Sequence, residues 1–406
     1  MKYLLLGMGI TNQSIARYFV SEGIDFVIYD DKTHRHEINL DDVGIIIKSP
    51  GIKNNHFLLQ KGKRVIGDLE LFYLKNPSKT LITVTGSNGK TTTVKLLKHL
   101  IDNIDLGGNI GYPLFDFINS KNDIIIEASS FMLESVRNFR SKYNVILNLF
   151  NTHLEYHKSF HNYVNSKLNL IRNARVDDYI IYNYDDLLLR RLINNFQGIK
   201  VPFSRLEKVG VHVENKNIIY QNMKIASIDD IKLIGNHNLE NVLAAIAVIV
   251  NYRGDVSKLS SFTSVKYRLE YKGNLNGLDV YNDSKSTNFK ALYNALLSFK
   301  NKNILLIAGG KKQNHNFNIF KNINSIRRSY FYGENREIMA SFFKNKCEDV
   351  ITYETLDEVF RNLNTEGCNV LLFSPGSVSF DQFSSYEKRG EYFNEVLNKY
   401  RKDYYS

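Results

Sequence analysis

Short runs of aliphatic and β-branched residues recur along the chain. Each is followed by a turn of small or polar residues, then by a stretch with apolar positions three and four apart. Residues 2–6 read as a strand, 7–12 as a turn and 14–19 as the opening of a helix. A second strand at 26–29 ends in Asp30 and Asp31, and 44–47 is a third, closed by Ser49, Pro50 and Gly51. The pattern is sharpest at 81–101. Residues 81–84 form a buried-type strand, 86–89 a turn of small residues, and Val94, Leu97, Leu100 and Ile101 recur at helical spacing. Strands follow at 123–127, 144–150, 278–281, 303–308 and 370–373, with helical patterning between them, as at 163–171. This alternation predicts an α/β protein with a mostly parallel sheet.

A chain of 406 residues exceeds one ordinary core and predicts two or three domains. A hydrophobic content of 43% is that of a globular chain. No apolar run reaches the roughly eighteen residues of a membrane span, and the apolar start is too brief for a signal peptide. Cys347 and Cys368 are the only cysteines, which excludes a disulfide framework or a thiolate metal site and predicts a cytoplasmic location. The net charge of +11 fits either attraction of anionic ligands or a solvated lysine-rich surface. With no long Lys/Arg block and no RNA-binding or helix-turn-helix signature, nucleic acid is not expected as a partner.

Strand, glycine turn and helix at 81–101 bring backbone N–H groups and the positive end of a helix dipole to one point, which suits a phosphate. Lys90 adds a charge, and the Thr91 hydroxyl can hold Mg²⁺. The alternative, an Asn-Gly hairpin, conflicts with the helical spacing after Lys90. Glu127, at a strand end downstream, is the expected Mg²⁺ partner. His153 also follows a strand and would reach the same sheet edge. His157 and His161 read as surface residues, and so, by residue type, does Lys167. Residues 107–111, including Asn109, read as a flexible loop. Asn238 and Asn241 share a helix face with Ala245, an unusual placement for two polar residues unless something is bound there. The polar run 282–288 precedes a helix and is a second anion-friendly position. Gly7 and Gly9 begin a dinucleotide fingerprint that Asn12 interrupts, so NAD is not expected.

The form Gly86-x-x-Gly89-Lys90-Thr91, with Val84 where longer P-loops carry glycine, resembles the Mur ligase family, which also includes the folylpolyglutamate synthases. The resemblance covers essentially the whole chain. It implies three domains: 1–70, Rossmann-like and UDP-binding; 71–264, a P-loop ATPase; and 265–406, Rossmann-like and amino-acid-binding. By resemblance, Gly86, Ser87, Asn88, Gly89, Lys90, Thr91, Thr92, Asn238, Asn241, Arg268 and Asp283 would contact ATP. Ile10, Thr11, Asn12, the turn 31–33, Gly51 and Asn109 would meet the UDP substrate. Thr91, Glu127, His153 and a Lys167 carbamylated by CO₂ would place Mg²⁺.

The blocks 283–288 and 374–390 resemble the D-glutamate-adding members. They imply a monomeric ligase taking UDP-N-acetylmuramoyl-L-alanine, D-glutamate and ATP through an acyl phosphate. Thr287, Ser379 and Tyr386 would surround D-glutamate, and Lys285 would face the phosphate. The chain departs from that pattern at Met132, at 376–378 and at Gln313, where a basic residue is usual and Lys311 or Lys312 could substitute. A folylpolyglutamate-type ligase would lack the N-terminal domain and the 283–288 block. A non-catalytic relative would lack Lys90, Glu127, His153 and Lys167.

Overall fold

The computed structural model describes residues 2–33, 39–53, 55–61, 63–263, 266–275, 277–312, 317–321 and 323–405. Gln313 lies outside them. The chain forms two compact units: residues 1–231 with 237–262, and residues 232–236 with 263–406. Three sheets organise them, two in the first unit and one in the second.

The first sheet uses β1 (Lys2–Leu6), β2 (Phe26–Tyr29), β3 (Val43–Lys48) and β4 (Arg64–Ile66), with α1 (Ile10–Ser21) crossing after β1. The order is β2-β1-β3-β4, all parallel. Helix α1 starts at Ile10, not at the expected position 14. Ile10, Thr11 and Asn12 therefore lie in its first turn, and the connection from β1 is shorter than the sequence suggested. Gly7, at φ 81°, lets the chain reverse at once.

Helix α2 (Asp68–Lys75) leads to the nine-stranded sheet. Its strands are β5 (Leu81–Thr85), β6 (Asp105–Gly108), β7 (Ile124–Glu127), β8 (Tyr143–Ile146), β9 (Tyr179–Asn183), β10 (Ile199–Ser204), β11 (Val211–Glu214), β12 (Asn217–Tyr220) and β13 (Met223–Ser227). The helices between them are α3 (Lys90–Leu100), α4 (Ser130–Leu133), α5 (Leu154–His157), α6 (Phe160–Leu168) and α7 (Leu187–Ile193); α8 (Asn236–Ile249) follows. The order is β13-β12-β11-β10-β9-β8-β5-β7-β6, parallel except for the β11-β12-β13 meander. Strand β5 is buried along its whole length because β7 and β8 flank it, which is why its sequence is continuously apolar or β-branched.

Two expectations change here. Gly107 and Gly108 are not a loop but the end of edge strand β6, and Gly108 pairs with Glu127. Gly108 has φ 101°, and a Cβ there would sit 2.4 Å from the Glu127 carbonyl. Strand β8 ends at Ile146, so residues 147–150 leave the ladder early.

The second unit holds β14 (Glu270–Leu275), β15 (Leu278–Asn282), β16 (Ile304–Gly309), β17 (Ile326–Tyr332), β18 (Asp349–Thr352) and β19 (Val370–Phe373). Its helices are α9 (Phe289–Leu297), α10 (Arg336–Phe343), α11 (Leu356–Arg361) and α12 (Tyr386–Tyr405). The order is β14-β15-β19-β16-β17-β18, parallel except for the β14-β15 hairpin. Separate apolar layers cover its two faces, one including Leu292, Leu306 and Phe343, the other Leu305, Leu371 and Phe393.

Candidate functional site

The glycine turn leaves the C-terminal end of β5, where ligands bind open α/β sheets. Gly89 has φ 89°, and a Cβ there would lie 2.1 Å from Asn241 Oδ1, so the loop needs glycine for both its conformation and its neighbour. Thr93 N–H donates to the Gly89 carbonyl at 3.0 Å and opens α3, so the N-terminus of the helix faces the loop. Lys90 Nζ folds back onto the Gly86 and Ser87 carbonyls at 2.8 and 3.2 Å. Thr91 is half-buried and Thr92 buried in the first turn of α3.

Residues 147–150 run alongside this loop rather than in the sheet. Leu147 N–H donates to Thr85 O, and Ser87 N–H to Asn148 O. The Asn148 side chain accepts from Asn88 N–H at 2.9 Å and donates to Asn88 O at 3.2 Å. Ser87 Oγ meets Phe150 N–H at 2.8 Å and the Tyr163 hydroxyl at 2.7 Å. Asn148 and Tyr163 were not foreseen. An asparagine in an otherwise apolar run is a usable signal, whereas a tyrosine at a helix core position is not.

Glu127 is 2% exposed. Asn109 Nδ2 donates to its Oε1 at 3.0 Å, while Oε2 is buried without a hydrogen-bond partner. Val84 pairs with Glu127, so this carboxylate lies at the sheet edge where the glycine turn begins. A buried orphan carboxylate oxygen beside a phosphate seat fits Mg²⁺. Among the described residues no group of three or more His, Cys, Asp or Glu could hold a metal. The ion's other oxygens would therefore come from Thr91, water and the nucleotide.

Lys167 is no surface residue: it is 2% exposed, on α6. Its Nζ donates to Gly86 O at 2.9 Å and Thr85 Oγ1 at 3.2 Å and lies 4.9 Å from the Tyr163 ring centre. Burial drives this amine well below the usual lysine range; Lys90 pushes the same way, and Glu127 opposes. His153 caps α5 with φ 55°, its ring packed edge-on to Phe131 at 5.3 Å and 6.3 Å from Tyr163. His157 is also buried, contrary to expectation: its Nε2 lies 3.0 Å from Ser130 Oγ, and its ring stacks on Phe131. His161 is exposed and pairs with Asn165.

Asn238 and Asn241 are both buried on α8, with Asn241 Nδ2 donating to Asn238 Oδ1 at 3.2 Å. Asn241 lies directly against Gly89 of the glycine loop. In the N-terminal sheet, Asn12 is fully buried and donates to the carbonyls of Leu6, Gly7 and Ile47. It braces the turn, whereas Ile10, Thr11 and Gly51 reach solvent. Asp30 accepts from Met8 N–H and Lys32 N–H, which engages both its oxygens.

In the second unit Asp283 is buried, accepting from Leu269 N–H at 3.1 Å and Ser374 Oγ at 2.7 Å. Burial lifts its pKa to about 7, against those two bonds and Arg268. Both its oxygens serve the fold, so contact with a ribose would have to displace a bond. Lys285 Nζ lies 5.4 Å from the Tyr386 ring centre. Burial, together with Glu387, raises the Tyr386 phenol, which Arg268 opposes. Ser379 is buried and Thr287 half-buried. Arg389, unforeseen as a brace, is fully buried and donates to Ser284 O and Ser377 O at 2.8 Å each. Lys311 and Lys312 engage Val378 O and Glu334 through their backbone N–H groups.

A glycine loop at a helix N-terminus, an inward lysine and an orphan carboxylate define an α/β protein that seats nucleotide phosphates. Residues 84–249 match the Mur ligase middle domain. The chain is 36% identical over 383 residues to the UDP-N-acetylmuramoylalanine--D-glutamate ligase of Oceanobacillus iheyensis, covering 89% of this chain and 84% of that protein. It is 33% identical to the Streptococcus agalactiae enzyme of the same name, covering 98% and 97%. Among solved structures, the MurF ligase of Thermotoga maritima in complex with ADP shares the fold, with a TM-score of 0.64, 17% identity and coverage of 99% and 95%. The chain belongs to the Mur ligase family.

Proposed function

We propose that the chain is the ATP-dependent ligase that joins D-glutamate to UDP-N-acetylmuramoyl-L-alanine in peptidoglycan precursor synthesis. The near-full-length similarity to relatives of that name carries this reading, and the phosphate seat at 86–92 supports it. A carboxylate is a poor electrophile, so the alanyl carboxylate first takes the γ-phosphoryl group. The D-glutamate amine then displaces phosphate from the acyl phosphate. The helix N-terminus and Lys90 neutralise the phosphates, with Lys90 exchanging its two carbonyl partners for phosphate oxygens. Glu127 and Thr91 would hold Mg²⁺, which supplies further charge neutralisation on the transferred group. His153, packed against Phe131 and Tyr163 at the start of α5, is assigned to the same site as a further donor.

We assign carbamylation to Lys167. The modification needs a neutral amine, and burial disfavours the charged form here. A carbamate at Nζ would also set an anion where Mg²⁺ is to be held. A carbon signal from labelled CO₂ that survives in wild type and vanishes in Lys167→Arg tests this.

Residues 1–70 are assigned to the UDP acceptor through Ile10, Thr11 and Gly51, with Asn12 bracing the turn and Asn109 contributing beside Glu127. Residues 71–264 are assigned to ATP. Residues 265–406 are assigned to D-glutamate through Thr287, Ser379 and Tyr386, with Arg268 and Lys285 toward phosphate. The protein works as a cytoplasmic monomer. Among the described residues, no helix is long and apolar enough to cross a membrane.

Purified protein given ATP, Mg²⁺ and the acceptor should release phosphate only when D-glutamate is added, and Lys90→Ala should abolish that release. Release without D-glutamate, or better release with another amino acid, overturns the assignment.

A further inference from the structure

Helix α5 is only four residues long, and both flanking residues are left-handed: His153 at φ 55° and Lys158 at φ 64°. Left-handed backbone at non-glycine residues persists only where the surroundings over-determine it. Much of that support is local. Tyr156 N–H and His157 N–H both donate to His153 O, and Phe131 packs on Tyr156 at 4.6 Å.

One support comes from the other sheet. Lys48, the last residue of β3, is 2% exposed. Its Nζ donates to Ile52 O at 3.1 Å and to the Tyr156 hydroxyl at 3.2 Å, with Glu134 Oε2 at 4.0 Å. The Tyr156 hydroxyl donates to Glu134 Oε2 at 3.0 Å.

The bond to Ile52 O closes the turn 49–52, which also has Ile52 N–H on Ser49 O. One buried ammonium thus ties the turn carrying Gly51 to the helix that His153 begins. A cavity of ≈ 770 Å³ lies against this junction, lined by Lys53 and Asn55 from the turn side and by Phe131, Glu134 and Tyr156 from the helix side. Burying a lysine amine is costly, and a leucine or methionine would fill the same space without that cost. What the amine adds is direction, since it fixes two elements of different sheets at one spacing.

We propose that Lys48, acting through Tyr156 and Glu134, is a positioning residue that sets the Gly51 turn against the His153 helix, so that an acceptor held on the turn is aligned with the phosphate site. This rests on the assignment of Gly51 to the UDP acceptor. Lys48 touches no reacting atom in this scheme. Its effect is confined to the acceptor and absent from the nucleotide, because the glycine loop has its own supports in Asn148 and Tyr163.

The test measures KM for each substrate in Lys48→Met, Tyr156→Phe and the double variant. Loss of one charge-assisted hydrogen bond should raise the acceptor KM about tenfold in each single variant. KM for ATP and D-glutamate should stay within about twofold, and the double variant should be no worse than the weaker single one, since both remove the shared Lys48–Tyr156 contact. Acceptor KM unchanged in Tyr156→Phe, or all three KM values rising together, overturns the proposal. Should Lys48→Met fail to fold, Tyr156→Phe carries the test, because it removes one oxygen. Wild type without D-glutamate-dependent turnover would instead strike down the functional assignment, and this inference with it.

Discussion

Asn148 holds the tip of the phosphate loop with two bonds, from Asn88 N–H at 2.9 Å and to Asn88 O at 3.2 Å. Asn148→Ala removes both. Neutral hydrogen bonds contribute about 0.5–1.5 kcal/mol each. Asn88 is exposed, so water recovers part of the loss, and the net effect is about 1–2 kcal/mol. This cost falls on nucleotide binding, because a loop no longer pinned must be ordered by the ligand at about 1–2 kcal/mol per residue. ATP affinity should therefore fall by about 5- to 30-fold. Titration calorimetry with ATP reads this directly, and the acceptor KM serves as the internal control. Asn148→Asp sharpens the test. It keeps an acceptor for Asn88 N–H but sets a carboxylate against Asn88 O and beside the phosphates, so it should bind ATP more weakly than the alanine variant. ATP affinity like wild type in Asn148→Ala would refute the reasoning, whatever the melting temperature did. Affinity in Asn148→Asp better than in Asn148→Ala would show that the loop does not seat phosphate.

Gly89→Ala forces a Cβ to 2.1 Å from Asn241 Oδ1 at φ 89°; calorimetry should show no ATP binding while far-ultraviolet circular dichroism stays native. Glu127→Gln keeps the shape and removes the charge that suits a divalent ion. Phosphate release should fall by about a hundredfold or more and need higher Mg²⁺, and an unchanged Mg²⁺ dependence would remove Glu127 from the metal site. Asp283 has a folded-state pKa of about 7, above its unfolded value of 3.8. Between these values the folded state binds more protons than the unfolded state. The stability contributed by Asp283 is thus full below pH ~4 and lost as pH rises through ~7. Urea unfolding at pH 5 and pH 8 should show wild type losing more stability across that interval than Asp283→Asn, and equal losses would show that the carboxyl is ionised when folded.

Much of the α/β architecture is legible from periodicity because fully buried parallel strands must be apolar throughout, as β5 is, and their helices must carry one apolar stripe. The strand–glycine–helix unit at 81–101 is legible for the same reason, together with the conformations that only glycine permits. Lys90, Thr91 and Glu127 followed from chemistry placed at strand ends. Asn12 and Asp30 went the other way. Resemblance gave Asn12 to the UDP substrate, but its Nδ2 braces three backbone carbonyls, and Asp30 is likewise engaged by two backbone N–H groups. His157 and Lys167 looked exposed because residue type alone predicts solvent for both. His157 is buried against Ser130 and Phe131 of α4, and Lys167 against Thr85 and Gly86 at the glycine loop, both contacts between segments far apart in sequence.

The order of small, apolar and polar residues was by itself enough to mark the α/β alternation, its mostly parallel arrangement and the strand–glycine–helix unit at 81–101, since these depend on neighbours within a few positions, but not the strands between 199 and 227 or at 326–332 and 349–352. Only the tertiary structure decided which polar side chains face a ligand and which brace the fold. Hydrogen-bond partners such as Asn148 for Asn88, Tyr163 for Ser87 and Tyr156 for Lys48 are chosen by packing between elements, where a buried polar atom must find whatever donor or acceptor the other segment brings within about 3 Å.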